Sequence, residues 1–302
     1  MTTTSGAAPR AAGLGLVPAL LSFVRFSHTI FALPFALAAA CLAQMEIPPV
    51  ATLGWILLAM VGARSLAMAL NRIIDADIDA ANPRTASREL PSGRLAMGQV
   101  LAFSAVSLAV LLIAVSQLPE ETWVLWPVPV AAFVIYPLAK RVTWLCHLAL
   151  GLTIGIAPMG AWLAVTGDLE AAPILLGLAV ACWIAGFDII YALLDIDFDR
   201  DHDIQSVPAR FGEATALWFT KGLHLAAIAL LVAAGAAAGA GGWYMTGVAL
   251  CAAVLVYENA IVRPGVTSAS VNARNTIERT PFDWAKATCT RDVSPGRTMA
   301  FS

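Results

Sequence analysis

Residues 71–94 read NRIIDADIDAANPRTASRELPSGR and follow directly on an apolar run. Residues four apart in an α-helix differ by only about 40° around its axis, so Asn71, Asp75 and Asp79 lie on one face of a continuing helix. Asp77 points roughly the opposite way. Two carboxylates one turn apart repel each other unless a cation lies between them, and such hard oxygen ligands favour Mg²⁺. The stretch therefore predicts a magnesium site at a helix end, with a phosphate as the anionic co-ligand.

A second stretch, residues 187–210, reads FDIIYALLDIDFDRDHDIQSVPAR and repeats this pattern after another apolar run. Asp188, Asp195 and Asp199 fall on one face by the same arithmetic, and Asp197 faces away. The aspartates of DADID at 75–79 match those of DIDFD at 195–199 position for position. Ordinary polar loop ends would explain one such run but not two that match. The match predicts an internal duplication of a metal site at a helix end.

The composition is that of an integral membrane protein. Of 302 residues, 59% are hydrophobic and only 13% are charged, and the mean hydropathy is +0.78. These values exclude an ordinary soluble domain. Because a helix needs about 20 apolar residues to cross a bilayer, and no alternating barrel pattern is present, we predict an all-α multi-span helix bundle. The eight predicted spans are 17–43, 51–74, 98–117, 122–139, 143–165, 172–194, 212–236 and 242–260.

The basic residues predict the orientation of this bundle. The loops near 44–50, 118–122, 166–171 and 237–241 contain no Lys or Arg, although they hold several acidic residues. All 18 basic residues fall on the opposite side or within helices near it. The positive-inside rule makes that opposite side the cytoplasm. We therefore expect a multi-pass protein of the cytoplasmic (inner) membrane, in contact with membrane lipid, with both acidic stretches facing the cytoplasm and no nucleic-acid partner.

The acidic stretches also carry a family resemblance. The pattern N-x-x-x-D-x-x-x-D at 71–79, with D-x-x-x-D at 195–199, resembles the UbiA superfamily of membrane prenyltransferases. The resemblance extends to Asp188, to Tyr136-x-x-x-Lys140, and to the NPRT and RELPSG runs that follow the first pattern. Together with FSHTIFALPF at 26–35, these runs are most similar to the 4-hydroxybenzoate polyprenyltransferase-like branch that acts in menaquinone synthesis through futalosine.

The resemblance implies an enzyme that moves a polyprenyl group from its diphosphate onto an aromatic carboxylic acid in quinone biosynthesis. The acceptor would be 1,4-dihydroxy-6-naphthoate or 4-hydroxybenzoate, and the residues leave both open. Mg²⁺ is the implied cofactor, and its expected ligands are Asn71, Asp75, Asp79, Asp195 and Asp199. The cations expected to neutralise the diphosphate are Arg25, Arg72, Arg84, Arg88, Lys140 and Arg141.

The same resemblance implies a catalytic set around the acceptor. Asp188 would accept the ring proton or orient the acceptor hydroxyl, with Tyr136 and Lys140 beside it. His28 and Tyr191 are expected to line the cavity. Two further histidines in predicted spans, His147 and His224, are interpreted as structural.

Three other classes of function fit these residues less well than an enzyme does. A cation transporter also carries carboxylates in repeated membrane helices, but these acids lie at helix ends and not near the bilayer midplane, which favours phosphate chemistry. A calcium-binding loop is excluded because Arg200 replaces the required glycine and Ser206 replaces the bidentate glutamate. The D-G-x-x-A-R signature of a CDP-alcohol phosphotransferase is absent.

The ends of the chain differ from its middle. Residues 1–12 are small and polar, and we expect a disordered tail before a membrane domain at 13–263. Residues 264–302 are polar and mixed in charge, so they cannot cross a bilayer. The family that the sequence resembles normally has a ninth spanning helix there, so we expect that helix to be absent.

Within the membrane domain, Gly151, Gly155 and Gly160 are expected to permit close helix approach.

Overall fold

The computed structural model describes residues 33–262, together with Gly15, Ala19, Leu20 and Phe23. Regular structure in this part of the chain is entirely helical, without strands. The helices are α1 (Leu33–Gln44), α2 (Val50–Ile74), α3 (Ala76–Ala81), α4 (Met97–Val115), α5 (Glu120–Leu125), α6 (Pro127–Ala139), α7 (Cys146–Thr166), α8 (Ala171–Ala192), α9 (Ile196–Asp201), α10 (Val207–Phe211), α11 (Glu213–Ala237) and α12 (Gly242–Ile261).

Seven stretches of helix in the described residues are long and apolar enough to cross a membrane. They are α2, α4, α5 with α6, α7, α8 continued through α9, α11 and α12. The predicted all-helical, multi-span bundle is therefore confirmed. Helix α1 covers the end of the first predicted span with 12 residues. Most of the rest of that span, both predicted tails and the expected loss of a ninth helix lie outside the described residues.

The predicted span at 122–139 is not one uninterrupted helix. It begins earlier, at Glu120, and is divided at Trp126 into α5 and α6. Pro127 opens α6 at the first helical position, where its missing N–H needs no partner in the preceding turn. The hydrophobic pattern thus predicted the location of the span, but the prolines set its internal break.

Close packing of α7 on α8 holds the centre of the bundle together. A Cβ atom added to Gly151 would lie 2.2 Å from the carbonyl oxygen of Ala181, and one added to Gly155 would lie 2.3 Å from that of Gly177. These two glycines therefore permit the close approach that was predicted. The prediction for Gly160 is wrong, because a Cβ atom there would meet nothing within 4 Å. Helix α8 packs on its other side against α11, while α2 packs against α4 and α6.

Helices α2 and α8 end in the same way. Helix α2 stops at Ile74, Asp75 adopts φ −95° and ψ 7°, and the six-residue α3 follows. Helix α8 passes into a 3₁₀ turn, Asp195 adopts φ −112° and ψ 9°, and the six-residue α9 follows. The shared break supports the predicted duplication. Each break falls on an aspartate of the acidic pattern, so it positions the candidate site.

Candidate functional site

The aspartates of both acidic patterns divide into an inner and an outer set. Asp75, Asp79 and Asp199 are only 3%, 5% and 8% exposed. Asp77 and Asp197 are exposed. The prediction that Asp77 and Asp197 point away from the other aspartates is therefore confirmed despite the breaks. The helical register is preserved in the first pattern, because the amide of Asp79 still donates to the carbonyl of Asp75 at 2.8 Å. We refer to Asn71, Asp75, Asp79, Asp195 and Asp199 as the acidic face.

The first half of the acidic face is paired with cations from two loops. Lys140 Nζ lies 2.7 Å from Asp75 Oδ2, and Asn71 Nδ2 donates to the same oxygen at 2.9 Å. Arg88 donates to both carboxylate oxygens of Asp79 at 2.7 Å. The other oxygen of Asp75, Oδ1, is buried and has no hydrogen-bond partner among the described residues. Burial raises the pKa of Asp75, and the Lys140 ammonium acts against that shift.

The second half of the acidic face is reached by the loop that follows α3. Arg84 forms a two-pronged ion pair with Asp195, in which Nε donates to Oδ1 at 2.8 Å. Asn82 Nδ2 donates to the same oxygen at 3.2 Å. The Arg84 guanidinium also lies 5.3 Å from the centre of the Tyr191 ring, so Tyr191 lies next to a cation that pairs with Asp195. The two halves of the duplication are thus joined directly by their charged groups.

Lys140 and Arg141 are neighbours in sequence but serve opposite faces of α3. Arg141 Nη2 donates to Asp77 Oδ1 at 2.8 Å and to the carbonyl of Ile74 at 2.7 Å, on the outer side. The hydrogen bond with Arg141 lowers the pKa of Asp77 to about 2. The loop between α6 and α7 therefore supplies one cation to the acidic face and uses the other to fix the position of α3.

Arg72, a predicted diphosphate ligand, is buried beneath the loop that follows α3. Its Nη2 donates to the carbonyl of Phe23 at 3.3 Å, and its Nη1 lies 3.6 Å from a carboxylate oxygen of Glu89. These contacts give Arg72 a role in holding the loop, so its predicted contact with a diphosphate remains a prediction. Two other predicted residues, Arg25 and His28, lie outside the described residues.

Asp188 lies within α8, seven residues before Asp195. Its side chain is 33% exposed, and its Oδ2 lies 2.6 Å from His147 Nδ1. Tyr136 is half-buried and interacts electrostatically with Asp75, Asp188 and Arg64. Tyr136 thus lies within electrostatic range of Asp188 and of Asp75, and the catalytic roles of Tyr136 and Asp188 stay predictions.

Two residues of this region were not predicted from the sequence. Arg64 lies within α2, and its Nε is buried without a hydrogen-bond partner in the described part of the chain. A cation inside an apolar span is itself a signal of function, and it was available in the sequence. His147 was interpreted as structural, but it contacts Asp188 directly. That contact spans 41 residues, and no local pattern reveals it.

The acidic face fits a metal that is shared with a phosphate. Within the described residues, no three His, Cys, Asp or Glu side chains lie close enough together to form a metal site on their own. Mg²⁺ commonly binds through one or two carboxylates, with waters and substrate phosphates completing its shell. All five donors of the acidic face are oxygen ligands, and the unpartnered Oδ1 of Asp75 is a ready carboxylate ligand.

The fold and the site together define a class of protein: a helical membrane protein with an oxygen-rich, cation-lined site where two matching helices end. The model of the UbiA prenyltransferase family matches residues 32–274 of the sequence. The chain belongs to the UbiA prenyltransferase family.

Relatives of the chain carry consistent names. It is 35% identical over 189 residues to a 4-hydroxybenzoate solanesyltransferase of Synechocystis, an alignment that covers 61% of this chain and 64% of the relative. It is 30% identical to a 4-hydroxybenzoate octaprenyltransferase of Aliivibrio fischeri, covering 68% of this chain and 71% of the relative. Several eukaryotic relatives are matched over less than half of their length, as with the 48% of the 4-hydroxybenzoate polyprenyltransferase of Arabidopsis thaliana.

Solved structures of the family share the fold. The apo structure of a UbiA homologue from Aeropyrum pernix superposes with a TM-score of 0.72 at 38% identity, covering 78% of this chain and 88% of that one. A UbiA homologue from Archaeoglobus fulgidus, bound to DMAPP and Mg²⁺, superposes with a TM-score of 0.69 at 16% identity. It covers 90% of this chain and 94% of that one, and at this identity the likeness concerns the fold alone.

Proposed function

We propose that this protein is a Mg²⁺-dependent membrane prenyltransferase that moves a polyprenyl group from its diphosphate onto an aromatic carboxylic acid in quinone biosynthesis. The observation that carries the proposal is the acidic face, where two matching helix ends bring buried carboxylates and cations together. Its relatives are named for prenyl transfer to 4-hydroxybenzoate, which supports the reaction class. The likeness of 26–35 and 71–94 to the futalosine branch supports 1,4-dihydroxy-6-naphthoate as the other candidate acceptor.

The acidic face is the proposed site of the diphosphate. Asp75, Asp79, Asp195 and Asp199 would hold Mg²⁺ with Asn71, and the buried Oδ1 of Asp75 is the ligand that the protein leaves unpartnered. Bound Mg²⁺ would neutralise the charge that develops on the departing diphosphate. Carboxylates alone would repel the substrate, so the metal is needed for binding as well as for departure.

The cations around the acidic face complete the proposed diphosphate site. Lys140, Arg84 and Arg88 each pair with one of its carboxylates, at Asp75, Asp195 and Asp79 respectively. With these carboxylates engaged by bound Mg²⁺, Lys140, Arg84 and Arg88 would be available to donate to phosphate oxygens. Guanidinium groups bind phosphate through two parallel hydrogen bonds, which suits Arg84 and Arg88 to this change of partner.

The proposed chemistry needs no redox step. The bond between the allylic carbon and the diphosphate oxygen breaks, and its electron pair leaves with the diphosphate. A ring carbon of the acceptor then forms a bond to the allylic carbon. The displaced ring proton passes to Asp188, whose side chain is exposed enough to release it to water. Asp188 and Tyr136 are the residues proposed to act at the acceptor ring. Lys140 is proposed to lie between the acceptor ring and the diphosphate.

Arg64 is proposed to bind the carboxylate of the acceptor. A guanidinium buried in a membrane helix is unfavourable unless it is paired, and its Nε lacks a partner among the described residues. Tyr136 lies within electrostatic range of both Arg64 and Asp188, which supports a shared role for the three groups at the acceptor. An aromatic acid that bridges Arg64 and Asp188 would present its ring between them. Both candidate acceptors carry a carboxylate, so Arg64 does not distinguish between them.

Replacement of Arg64 by glutamine is expected to raise the KM for the acceptor about 10- to 100-fold, because a hydrogen bond to a charged group contributes about 1.5–3 kcal/mol. The KM for the prenyl diphosphate should change little. Steady-state kinetics with each substrate varied in turn measure both values. Arg64→Lys is the matched control, since it keeps the charge and should recover part of the loss. An unchanged acceptor KM in Arg64→Gln would contradict this role.

The proposal is tested by prenyl transfer in purified membranes. Membranes that contain the protein are supplied with radiolabelled polyprenyl diphosphate, Mg²⁺ and one acceptor at a time, either 4-hydroxybenzoate or 1,4-dihydroxy-6-naphthoate. Labelled prenylated product is expected with one of the two and none in membranes without the protein. Product with neither acceptor would contradict the proposed function.

The site is proposed to face the cytoplasm, and labelling can test this orientation. Single cysteines are placed at Ser87, which is exposed beside the acidic face, and at Asp168, beyond the opposite end of α7, in a variant without the native cysteines. Asp168 is chosen over its neighbour Gly167, whose φ of 75° disfavours a side chain. A membrane-impermeant thiol reagent added to intact cells should label the cysteine at 168 and not the one at 87. The reverse pattern would show that the site faces outward.

A further inference from the structure

His147 occupies a position between two parts of the site. It lies at the start of α7 and is 4% exposed. Its Nδ1 is 2.6 Å from Oδ2 of Asp188 on α8. Its Nε2 is 3.3 Å from the backbone nitrogen of Val207, at the start of α10. Both ring nitrogens are therefore engaged, each by a different element.

These two partners fix the tautomer of His147. A backbone N–H can only donate, so Nε2 of His147 must accept the hydrogen bond from Val207. The ring proton then resides on Nδ1, which donates to Asp188. A second proton on Nε2 would point at the N–H of Val207, so this geometry favours the ring that carries its proton on Nδ1 alone. One oxygen of Asp188 thus accepts the hydrogen bond from His147, which orients the Asp188 carboxylate.

The turn that binds His147 also holds the acidic face. Ser206, the residue before Val207, is buried and donates from Oγ to Oδ2 of Asp199 at 2.8 Å. Ser206 is the N-cap of α10, where its Oγ accepts the amide of Ala209 at 3.3 Å. Val207 is 3% exposed and packs in a core with Ile189. The turn is therefore fixed by packing on one side and by hydrogen bonds on the other.

A second pair of contacts holds this turn against the loop that carries Lys140. The amide of Gln205 donates to the carbonyl of Lys140 at 2.7 Å, and the thiol of Cys146 donates to the carbonyl of Gln205 at 3.2 Å. The turn at 205–207 is thus hydrogen-bonded both to Asp199 and to the loop whose Lys140 pairs with Asp75. Hydrogen bonds of this kind commonly orient the groups that act directly in a reaction.

We propose that His147 is a positioning residue, which orients Asp188 through Nδ1–H and ties it through Nε2 to the turn that holds Asp199. This inference rests on the proposed function, because it assigns His147 to the prenyl acceptor side of that reaction. Since Ser206 connects the turn to Asp199, the diphosphate site and the proton acceptor share one hydrogen-bonded support. His147 itself touches neither substrate.

Two variants of His147 separate its two hydrogen bonds. The side-chain amide of asparagine reaches the position of Nδ1, so His147→Asn retains a donor for Asp188 and loses the acceptor for Val207. Glutamine reaches the position of Nε2, so His147→Gln retains the acceptor and loses the donor. We expect kcat for prenyl transfer to fall by a few-fold in His147→Asn and on the order of 10- to 100-fold in His147→Gln, because small errors in the placement of a reacting group have effects of this size. The KM for geranyl diphosphate should stay within twofold in both.

His224 supplies the matched control. It is also buried, at 2% exposure, and its Nδ1 is 2.7 Å from Nδ2 of Asn259 on α12, with no hydrogen bond to Asp188 among the described contacts. His224→Gln should lower the melting temperature without changing kcat per folded molecule. Equal kcat losses in His147→Asn and His147→Gln, an order of losses opposite to the one expected, or no loss in either would each overturn the inference.

A spectroscopic measurement separates this inference from the proposed function. In protein labelled with ¹⁵N-histidine, the His147 signals are those missing from His147→Gln, and they should show a protonated Nδ1 and an unprotonated Nε2. The reverse tautomer or a doubly protonated ring would overturn the inference, whether or not the protein transfers prenyl groups. A wild type that is inactive with every acceptor would instead overturn the proposed function.

Discussion

Chelation of divalent cations by EDTA is expected to abolish prenyl transfer, and added Mg²⁺ is expected to restore it. The reason is electrostatic. Two like charges 4 Å apart repel by about 4 kcal/mol at an effective dielectric constant of about 20. A diphosphate brought to the buried carboxylates of Asp75, Asp79 and Asp199 would meet several such repulsions. The available cations already neutralise carboxylates, as in the pairs of Lys140 with Asp75 and of Arg88 with Asp79.

The requirement for metal should appear in binding as well as in turnover. Geranyl diphosphate should raise the melting temperature of the purified protein when Mg²⁺ is present and have little effect when EDTA is present. A sample that receives EDTA followed by excess Mg²⁺ controls for damage by the chelator. Full turnover in metal-free buffer would remove the central element of the proposed mechanism.

The second large effect is expected from single carboxylates of the acidic face. Asp75→Ala or Asp195→Ala should lower kcat/KM on the order of 10²-fold or more, equivalent to about 3 kcal/mol of transition-state stabilisation. Each substitution removes a proposed metal ligand and also leaves a cation without its partner, Lys140 in the first case and Arg84 in the second. Steady-state kinetics at saturating Mg²⁺ measure the loss.

The outer aspartates are the matched controls for this experiment. Asp77 and Asp197 lie two residues after Asp75 and Asp195, within α3 and α9, and their side chains are exposed. Asp77→Ala removes an exposed ion pair with Arg141, and exposed pairs contribute about 0–1 kcal/mol. Both control variants should retain activity within a few-fold. Equal losses at all four aspartates would contradict the assignment of an inner and an outer set.

Much of the fold could be predicted because it follows from local patterns. The apolar runs around α2 and α8 are long enough to span a membrane, and the helical period places Asp75 and Asp79 on one face even across a break. The break itself was not predictable from the usual signals, because neither Asp75 nor Asp195 is a proline or a glycine. Gly160 failed as a prediction because composition cannot tell which glycine faces a neighbouring helix.

The site was predicted less completely, because its contacts join distant parts of the chain. The pairing of Arg84 with Asp195 spans 111 residues, and that of Arg141 with Asp77 spans 64. Sequence patterns identified these side chains as charged and close to the acidic stretches, but not which carboxylate each would meet. The partners of Arg72 and His147 depend on tertiary packing in the same way. The roles proposed for these residues at a substrate stay predictions.

The two glycines of α7 also limit which sequences can support this chemistry. Gly151 lies one helical turn beyond His147, and its neighbour across the interface, Ala181, lies two turns before Asp188. Any side chain at 151 would displace a backbone carbonyl that stands 2.2 Å from the position of its Cβ atom. The displacement would separate the two helices and lengthen the 2.6 Å contact between His147 and Asp188. Although Gly151 has no functional group, substitutions there are therefore expected to reduce the rate of prenyl transfer as well as the stability of the bundle.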